Sequence, residues 1–176
     1  MDTRKFILLS LYLVVLLCFI LIYRQFSYQF NRKMLFIEFP NLIIKNLDGN
    51  NASLRNITTD IPSVLIYFNS SCPICQSEAE LIESKFRADT LTRFLWVSSE
   101  SLEEVKKFAA HYSLDRLDTH RFYSDTLFRL ANAFRLTGVP ATFVYDAEGN
   151  LVDYTLGAVS VSDLNLSIQK AHDRSR

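Results

Sequence analysis

Hydrophobic residues follow three kinds of pattern along this chain. The first is one long apolar run over residues 6–23, in which Ser10 is the only clearly polar side chain. The second consists of short apolar runs over residues 64–68, 92–97 and 141–145, which are typical of buried strands. The third is a spacing of three and four residues between apolar positions, which predicts amphipathic helices.

Four helices are predicted from this spacing and from capping residues. The first begins at Cys72, the second follows a capping box of Ser101 and Glu104, and the third is capped by Asp125. The last runs from about residue 162 to 171. Their expected inward residues are Cys75, Ala79, Ile82 and Phe86, then Leu102, Val105, Phe108 and Tyr112, then Leu127, Leu130 and Phe134, and finally Leu164, Ile168 and Ala171.

Turn signals mark a hairpin on each side of the alternating strands and helices. Extended segments over 36–39 and 42–47 lead into Asp48-Gly49-Asn50, and residues 146–150 separate two late strands. The predicted order is a hairpin, then β-α-β-α-β-α, then a second hairpin and a terminal helix. This order predicts one α/β domain, with a mainly parallel central sheet covered on both faces and an antiparallel edge.

The long apolar run predicts a membrane anchor. Its 18 residues would span roughly 27 Å as a helix, close to the about 30 Å of a hydrocarbon core. The run exceeds the apolar region of a signal peptide and no small-x-small cleavage site follows it. We therefore expect an uncleaved transmembrane helix within residues 1–23, a juxtamembrane linker over 24–35 and a globular domain over 36–176.

Charge separates the two ends of the chain. Residues 1–33 hold five of the 19 basic residues and one of the 19 acidic residues, so the remainder has 14 basic and 18 acidic side chains. A mildly acidic domain without a clustered basic face excludes a nucleic-acid partner. Basic residues lie near both ends of the apolar run, so the charge rule is close to balanced. The short N-terminal tail, together with the cysteine motif described next, favours a single-pass protein of the inner or cytoplasmic membrane, with its domain on the extracytoplasmic, periplasmic side.

The candidate chemistry lies in Cys72-Pro73-Ile74-Cys75, between a buried strand and a helix. Backbone N–H groups at a helix start stabilise a thiolate, which is the attacking species in disulfide exchange. Cys72 is therefore expected to be the nucleophile and Cys75 the resolving thiol, with Pro73 in the first turn. The redox group is then a Cys72–Cys75 disulfide, and no cofactor or metal is expected, since a zinc site would need four ligands.

The segment Phe68–Cys75, followed by Gly138–Phe143, resembles the thioredoxin fold and, more narrowly, the TlpA/ResA-like membrane-anchored thiol–disulfide oxidoreductases. The resemblance covers roughly residues 39–171. It implies a thioredoxin-like α/β fold, with a central mixed sheet flanked by helices and an N-terminal β-hairpin extension.

The resemblance also implies roles for three further residues. Pro140 matches the family's cis-proline, and the backbone of Val139 would then pair with an extended substrate segment. Glu78 matches a glutamate that relays protons or tunes the thiols; the alternative is an ordinary solvated helix glutamate. Departures from the family are Ser71 in place of a tryptophan, Ile66 where thioredoxin has a buried acid, and Ala79 in place of a proline.

The expected function is exchange of disulfides with protein substrates, with reduction favoured and electrons supplied by a membrane or periplasmic donor. One alternative is a peroxiredoxin-like peroxidase, although that chemistry usually has a threonine and a proline where this chain has Asn69 and Leu65. The other is a non-enzymatic chaperone or metal-handling module, since two thiolates can hold Cu(I).

Overall fold

The computed structural model describes residues 3–36, 39, 41–55 and 60–175. The chain divides into two compact units, Met1–Phe36 and Ile37–Arg176. The first unit consists of helix α1 (Thr3–Phe36), which includes the segment predicted as a linker. Among the described residues, no helix is both long and apolar enough to cross a membrane. The predicted transmembrane helix is therefore not supported.

The second unit alternates strands and helices in the predicted order. Its described strands are β1 (Ile43–Asn46), β2 (Asn51–Ser53), β3 (Ser63–Phe68), β4 (Arg93–Ser98), β5 (His120–Ser124), β6 (Ala141–Tyr145) and β7 (Leu151–Leu156). Its helices are α2 (Pro73–Phe86), α3 (Leu102–His111), α4 (Arg129–Ala133) and α5 (Val161–Arg174), with a 3₁₀ turn at Leu114–Arg116. Of the extended segment expected over 36–39, residues 37 and 38 lie outside the described part, and Phe36 ends α1.

All seven strands form one mixed sheet in the order β2-β1-β5-β4-β3-β6-β7. Only β3 with β4 and β4 with β5 pair in parallel. The other four pairings are antiparallel, so the expectation of a mainly parallel sheet was wrong. The reason is that β6 returns antiparallel against β3, while both hairpins add antiparallel edges. The sheet and its flanking helices form a thioredoxin-like fold.

Alternation along β3 divides the core between the two faces of the sheet. Val64, Ile66 and Phe68 pack with the buried sides of α2, α3 and α5 in one cluster. Leu65 and Tyr67 alternate with them and are also buried, so both faces of the strand are covered. This explains why β3 has a continuous apolar sequence rather than an alternating one.

Helices α2, α3 and α5 lie where they were predicted, although Leu102 and Tyr112 of the predicted inward residues of α3 are only half-buried, and the prediction at α4 was wrong in part. Ser101 caps α3 by accepting the N–H of Glu104 at 3.3 Å, and Leu164, Ile168 and Ala171 of α5 are buried as expected. Helix α4 has only five residues and begins at Arg129, so Leu127 precedes it and is 67% exposed instead of inward. The N-cap of this helix is Phe128 and not the predicted Asp125, but the Asp125 carboxylate accepts the N–H groups of Arg129 and Leu130 at 2.7 and 2.9 Å.

Candidate active site

The dithiol lies where β3 ends and α2 begins. A tight turn connects the two elements, and the N–H of Cys72 donates to the carbonyl of Asn69 at 3.2 Å. Cys72 is the N-cap of α2, and its sulfur accepts the N–H of Cys75 at 3.4 Å. Pro73 occupies the first turn, where its missing N–H costs no helical hydrogen bond. The Cys72 sulfur therefore meets the positively polarised end of a helix.

The two thiols have different surroundings. Cys72 is half-buried, and its Sγ donates to the carbonyl oxygen of Val139 at 3.9 Å. Cys75 is fully buried in the core cluster. Burial, followed by the hydrogen bond with Cys72, raises the pKa of the Cys75 thiol to about 12. An accessible thiol is thus paired with one that holds its proton tightly.

The loop before β6 lies against the dithiol. The Val139–Pro140 peptide bond is cis, as the resemblance implied, and the contact from Val139 to Cys72 brings this loop to the nucleophile. A cavity of about 240 Å³ is lined by Thr137, Gly138, Val139, Pro140, Leu156 and Gly157. Ile74 and Leu156 are 48% and 40% exposed. The accessible thiol therefore contacts Val139, one of the residues that line this cavity.

Glu78 is buried beneath the dithiol, one turn after Cys75, and only 5% of its surface is exposed. This burial contradicts the alternative of a solvated helix glutamate. Burial raises the pKa of its carboxyl group to about 7, against the opposing effect of the Thr142 hydroxyl, which donates to Oε1 at 3.0 Å. Its other oxygen has no hydrogen-bond partner among the described residues. Thr142 pairs with Ile66 across β6 and β3, so this helix carboxyl lies near the strand position that is acidic in thioredoxin.

Sequence reasoning missed Glu100, which lies in the loop after β4. Its carboxylate accepts the N–H and the hydroxyl of Ser70, both at 2.7 Å, and the hydroxyl of Ser98 at 2.9 Å. Ser70 belongs to the turn that precedes Cys72. The available signal was position: an acidic residue just after a buried parallel strand lies at the same sheet edge as the end of β3. The residues that follow, Ser101 and Glu104, match a capping box, so this segment was interpreted only as a helix start.

Other parts of the site bear on the two alternative functions, a peroxidase and a metal-handling module. Asn69 and Leu65 stand at the positions where a peroxidase usually has threonine and proline. Leu65 is fully buried within β3 and has no polar atom, and the Asn69 side-chain carbonyl accepts the N–H of Ser71 at 3.0 Å, so the hydroxyl and ring usual in a peroxidase are both absent from these positions. No group of three or more His, Cys, Asp and Glu side chains in the described part of the chain could hold a metal ion.

Together, the fold and the site define a thioredoxin-fold protein with a Cys-x-x-Cys dithiol at a helix start, which is the arrangement of thiol–disulfide oxidoreductases. The sequence pattern of the AhpC/TSA family matches residues 37–154, and the chain belongs to this family. No curated protein sequence matches the chain.

Solved structures share the fold at low sequence identity. A secreted disulfide oxidoreductase from Mycobacterium tuberculosis is 18% identical, with a TM-score of 0.63 over 74% of this chain and 96% of that one. A thioredoxin-family thiol:disulfide interchange protein from Chlorobium tepidum is 23% identical, with a TM-score of 0.60 over 77% and 95%. Peroxiredoxin Q from Xanthomonas campestris is 23% identical, with a TM-score of 0.61 over 77% and 97%. Oxidoreductases and peroxiredoxins thus share this architecture.

Proposed function

We propose that the protein exchanges disulfides with protein substrates through Cys72 and Cys75, with reduction of the substrate as the favoured direction. The observation that carries the proposal is the asymmetry of the two thiols. Cys72 is accessible at a helix start, and Cys75 is fully buried one turn later with a pKa of about 12. Such a pair suits a nucleophile and a resolving thiol.

The reaction transfers two electrons in two steps. The Cys72 thiolate attacks one sulfur of the substrate disulfide, and the second substrate sulfur leaves as a thiolate. Cys75 then loses its proton and attacks Cys72 Sγ, which breaks the mixed disulfide and releases the second substrate thiolate. The enzyme is left with a Cys72–Cys75 disulfide, while the substrate gains the two electrons and, through solvent and site groups, the two protons.

We assign Glu78 to the second step. The buried Cys75 thiol is a poor nucleophile until a base takes its proton, and a carboxyl group with a pKa of about 7 exists in both protonation states near neutral pH. Glu78 is three residues from Cys75 on the same helix, and its charge is among the causes that raise the pKa of that thiol. The carboxylate is therefore suited to accept the proton and return it when the dithiol is restored.

The cis-proline loop supports a protein as the substrate. Its cavity includes the exposed Leu156, and the Val139 backbone next to Cys72 can pair with an extended segment. The narrower TlpA/ResA-like grouping stays a prediction.

Activity of the full chain with Cys72→Ser and Cys75→Ser tests the proposal. We expect reduction of a protein disulfide to fall to background in Cys72→Ser, and multiple turnover to be lost in Cys75→Ser. Ser71→Ala, which changes an exposed neighbour, is the matched control and should stay within about twofold. Full activity in both cysteine variants would refute the proposal.

A second candidate is a thiol peroxidase, which the membership of the AhpC/TSA family favours. The Cys72 thiolate would attack a peroxide oxygen and break the O–O bond, giving a sulfenic acid and releasing water or an alcohol after protonation. The sulfenic acid would then condense with the Cys75 thiol to a disulfide and release a water molecule. The departure from this reading is that Asn69 and Leu65 stand where a peroxidase usually has threonine and proline. Rapid peroxide consumption that disappears in Cys72→Ser, without reduction of protein disulfides, would favour the peroxidase.

An extracytoplasmic location and an electron donor on that side of the membrane also stay predictions. They are supported by the exchange chemistry, because stable disulfide substrates occur mainly outside the cytoplasm. Labelling of Cys72 in intact cells by a membrane-impermeant thiol reagent tests the location. Labelling only after lysis would refute it.

A further inference from the structure

The turn that carries the nucleophile is held by a carboxylate from a neighbouring loop. Ser70, two residues before Cys72, uses both of its donors on Glu100: the N–H bonds one carboxylate oxygen and the hydroxyl bonds the other, each at 2.7 Å. Its carbonyl accepts the Gln76 side-chain amide at 2.8 Å. Every polar group of Ser70 is therefore engaged.

Glu100 is itself fixed on both sides. Its carboxylate accepts the Ser98 hydroxyl at 2.9 Å, and its N–H donates to the same hydroxyl oxygen at 3.2 Å. Its carbonyl accepts the hydroxyl of Ser124, at the end of β5, at 2.6 Å. The residue thus connects the ends of β3, β4 and β5 at one edge of the sheet. A carboxylate that accepts several short hydrogen bonds orders the groups around it more strongly than a neutral acceptor does.

The proposed exchange reaction places unequal demands on this turn. In the first step an accessible thiolate attacks a mobile substrate, which can approach from many directions. In the second step Cys75, fixed in α2, must approach the Cys72–substrate bond along the line of the two sulfurs. A small displacement of Cys72 therefore slows the second step more than the first.

We propose that Glu100 is a positioning residue for the exchange reaction: by holding Ser70, it keeps Cys72 aligned for attack by Cys75. It acts through Ser70 and not on the reacting sulfur atoms. The inference rests on the proposed function, and it assigns a role to a residue outside the Cys-x-x-Cys motif and the cis-proline loop.

Three substitutions in the full chain test this role. Glu100→Ala removes the acceptors, whereas Glu100→Gln keeps one carbonyl oxygen for the Ser70 N–H and an amide that can donate to the Ser70 hydroxyl. Glu103→Ala is the matched control, since Glu103 is an acidic residue three positions later that is exposed and pairs with Lys107. Reaction of the reduced protein with a small aromatic disulfide resolves the two steps, because each step releases one coloured thiolate.

We expect the second release to slow about tenfold in Glu100→Ala, with the first within about threefold, and both to be near wild type in Glu100→Gln and Glu103→Ala. An unchanged second release in Glu100→Ala would overturn the proposal. So would an equal defect in Glu100→Gln or in Glu103→Ala. A wild-type protein that released neither thiolate would instead refute the proposed function.

Amide hydrogen exchange tests the same contact without any activity. Exchange at residues 69–72 should accelerate about tenfold in Glu100→Ala and remain near wild type in Glu100→Gln and Glu103→Ala, while exchange in the centre of β3 stays unchanged. Equal protection of residues 69–72 in Glu100→Ala and wild type would overturn the proposal even if the exchange chemistry were absent.

Discussion

Glu78 and His120 are both buried, with 5% and 4% of their surfaces exposed, and each has one polar atom without a hydrogen-bond partner among the described residues. Burial acts on them in opposite directions. It raises the pKa of Glu78 to about 7 and, together with the nearby charge of Arg121, lowers the pKa of His120 to about 4. In both cases the protein interior favours the neutral form.

The neighbours of the two groups differ. His120 accepts the indole N–H of Trp96 at 3.0 Å and stacks on Phe94 at a ring distance of 4.7 Å, so its surroundings are aromatic. Glu78 lies three residues from Cys75, in a site that opens to substrate at Cys72. The same desolvation therefore produces a packed, neutral side chain at His120 and, on the proposed function, a proton carrier at Glu78. A shifted pKa becomes functional only beside a group that exchanges protons.

The largest expected effect is on stability at Glu78. Its pKa is 4.5 in the unfolded chain and about 7 in the folded protein, so its contribution to stability is fully present below pH 4.5 and is lost as the pH rises through 7. Relative to Glu78→Gln, the wild type should lose about 3 kcal/mol of unfolding free energy across this range. Urea unfolding at several pH values measures the difference. A difference that is independent of pH would contradict the burial of an ionisable Glu78.

His120 should change the free energy of unfolding by a similar amount, but with the loss on lowering the pH instead of on raising it. Its pKa falls from 6.5 in the unfolded chain to about 4 on folding, so its contribution is fully present above pH 6.5 and is lost as the pH falls through 4. Relative to His120→Asn, which keeps an acceptor for Trp96, the wild type should lose about 3 kcal/mol on acidification. Urea unfolding at the same pH values measures this loss. A loss of stability on raising the pH would contradict the lowered pKa of His120.

The rate of disulfide exchange should distinguish Glu78 from His120. With Glu78 as the base for Cys75, the rate of the second exchange step rises with pH around a midpoint near 7. Glu78→Gln should lower this rate about tenfold at pH 8 and remove the midpoint. His120→Asn should leave the rate within about twofold. Rapid mixing of each variant with a disulfide substrate over a range of pH measures this rate. An equal loss of rate in Glu78→Gln and His120→Asn would contradict a specific role for Glu78.

The smallest expected effect concerns the one hydrogen bond that Glu78 receives. Thr142→Val removes a hydroxyl that holds the pKa of Glu78 down, so the midpoint of the second step should move to higher pH by about one pH unit or less. Thr155→Val, at the paired position of β7, is the control and should not move it. A midpoint that moves to lower pH would contradict the role of this hydrogen bond.

Local sequence signals predicted most of the fold. Apolar runs located β3, β4 and β6, and the glycine turns located both hairpins, where Gly49 and Gly149 adopt φ values of +82° and +81°. The direction of strand pairing was harder, because the apolar run of β6 would read the same in either orientation. Helix α4 was misjudged because Leu127 fits helical spacing, yet the chain turns at Phe128 with a φ of +53° before the helix begins.

The candidate site was predictable where its residues are close in sequence. Cys72, Pro73 and Cys75 share one helix start, and the match of Pro140 came from the resemblance. Glu78 could be placed on the right side of the helix, but its burial depends on β6, which is distant in sequence. Glu100 was missed for the same reason, since its contact with Ser70 forms only when the ends of two parallel strands meet.

Trapping of the mixed disulfide tests the central claim most directly. In Cys75→Ser the resolving thiol is absent, so reaction with a disulfide substrate should accumulate an adduct on Cys72, which mass spectrometry of the digested protein identifies. Cys72→Ser should form no adduct at Cys75 at a comparable rate, because Cys75 is fully buried. An adduct that forms on Cys75 as fast as on Cys72, or no adduct on Cys72, would contradict the assignment of nucleophile and resolving thiol.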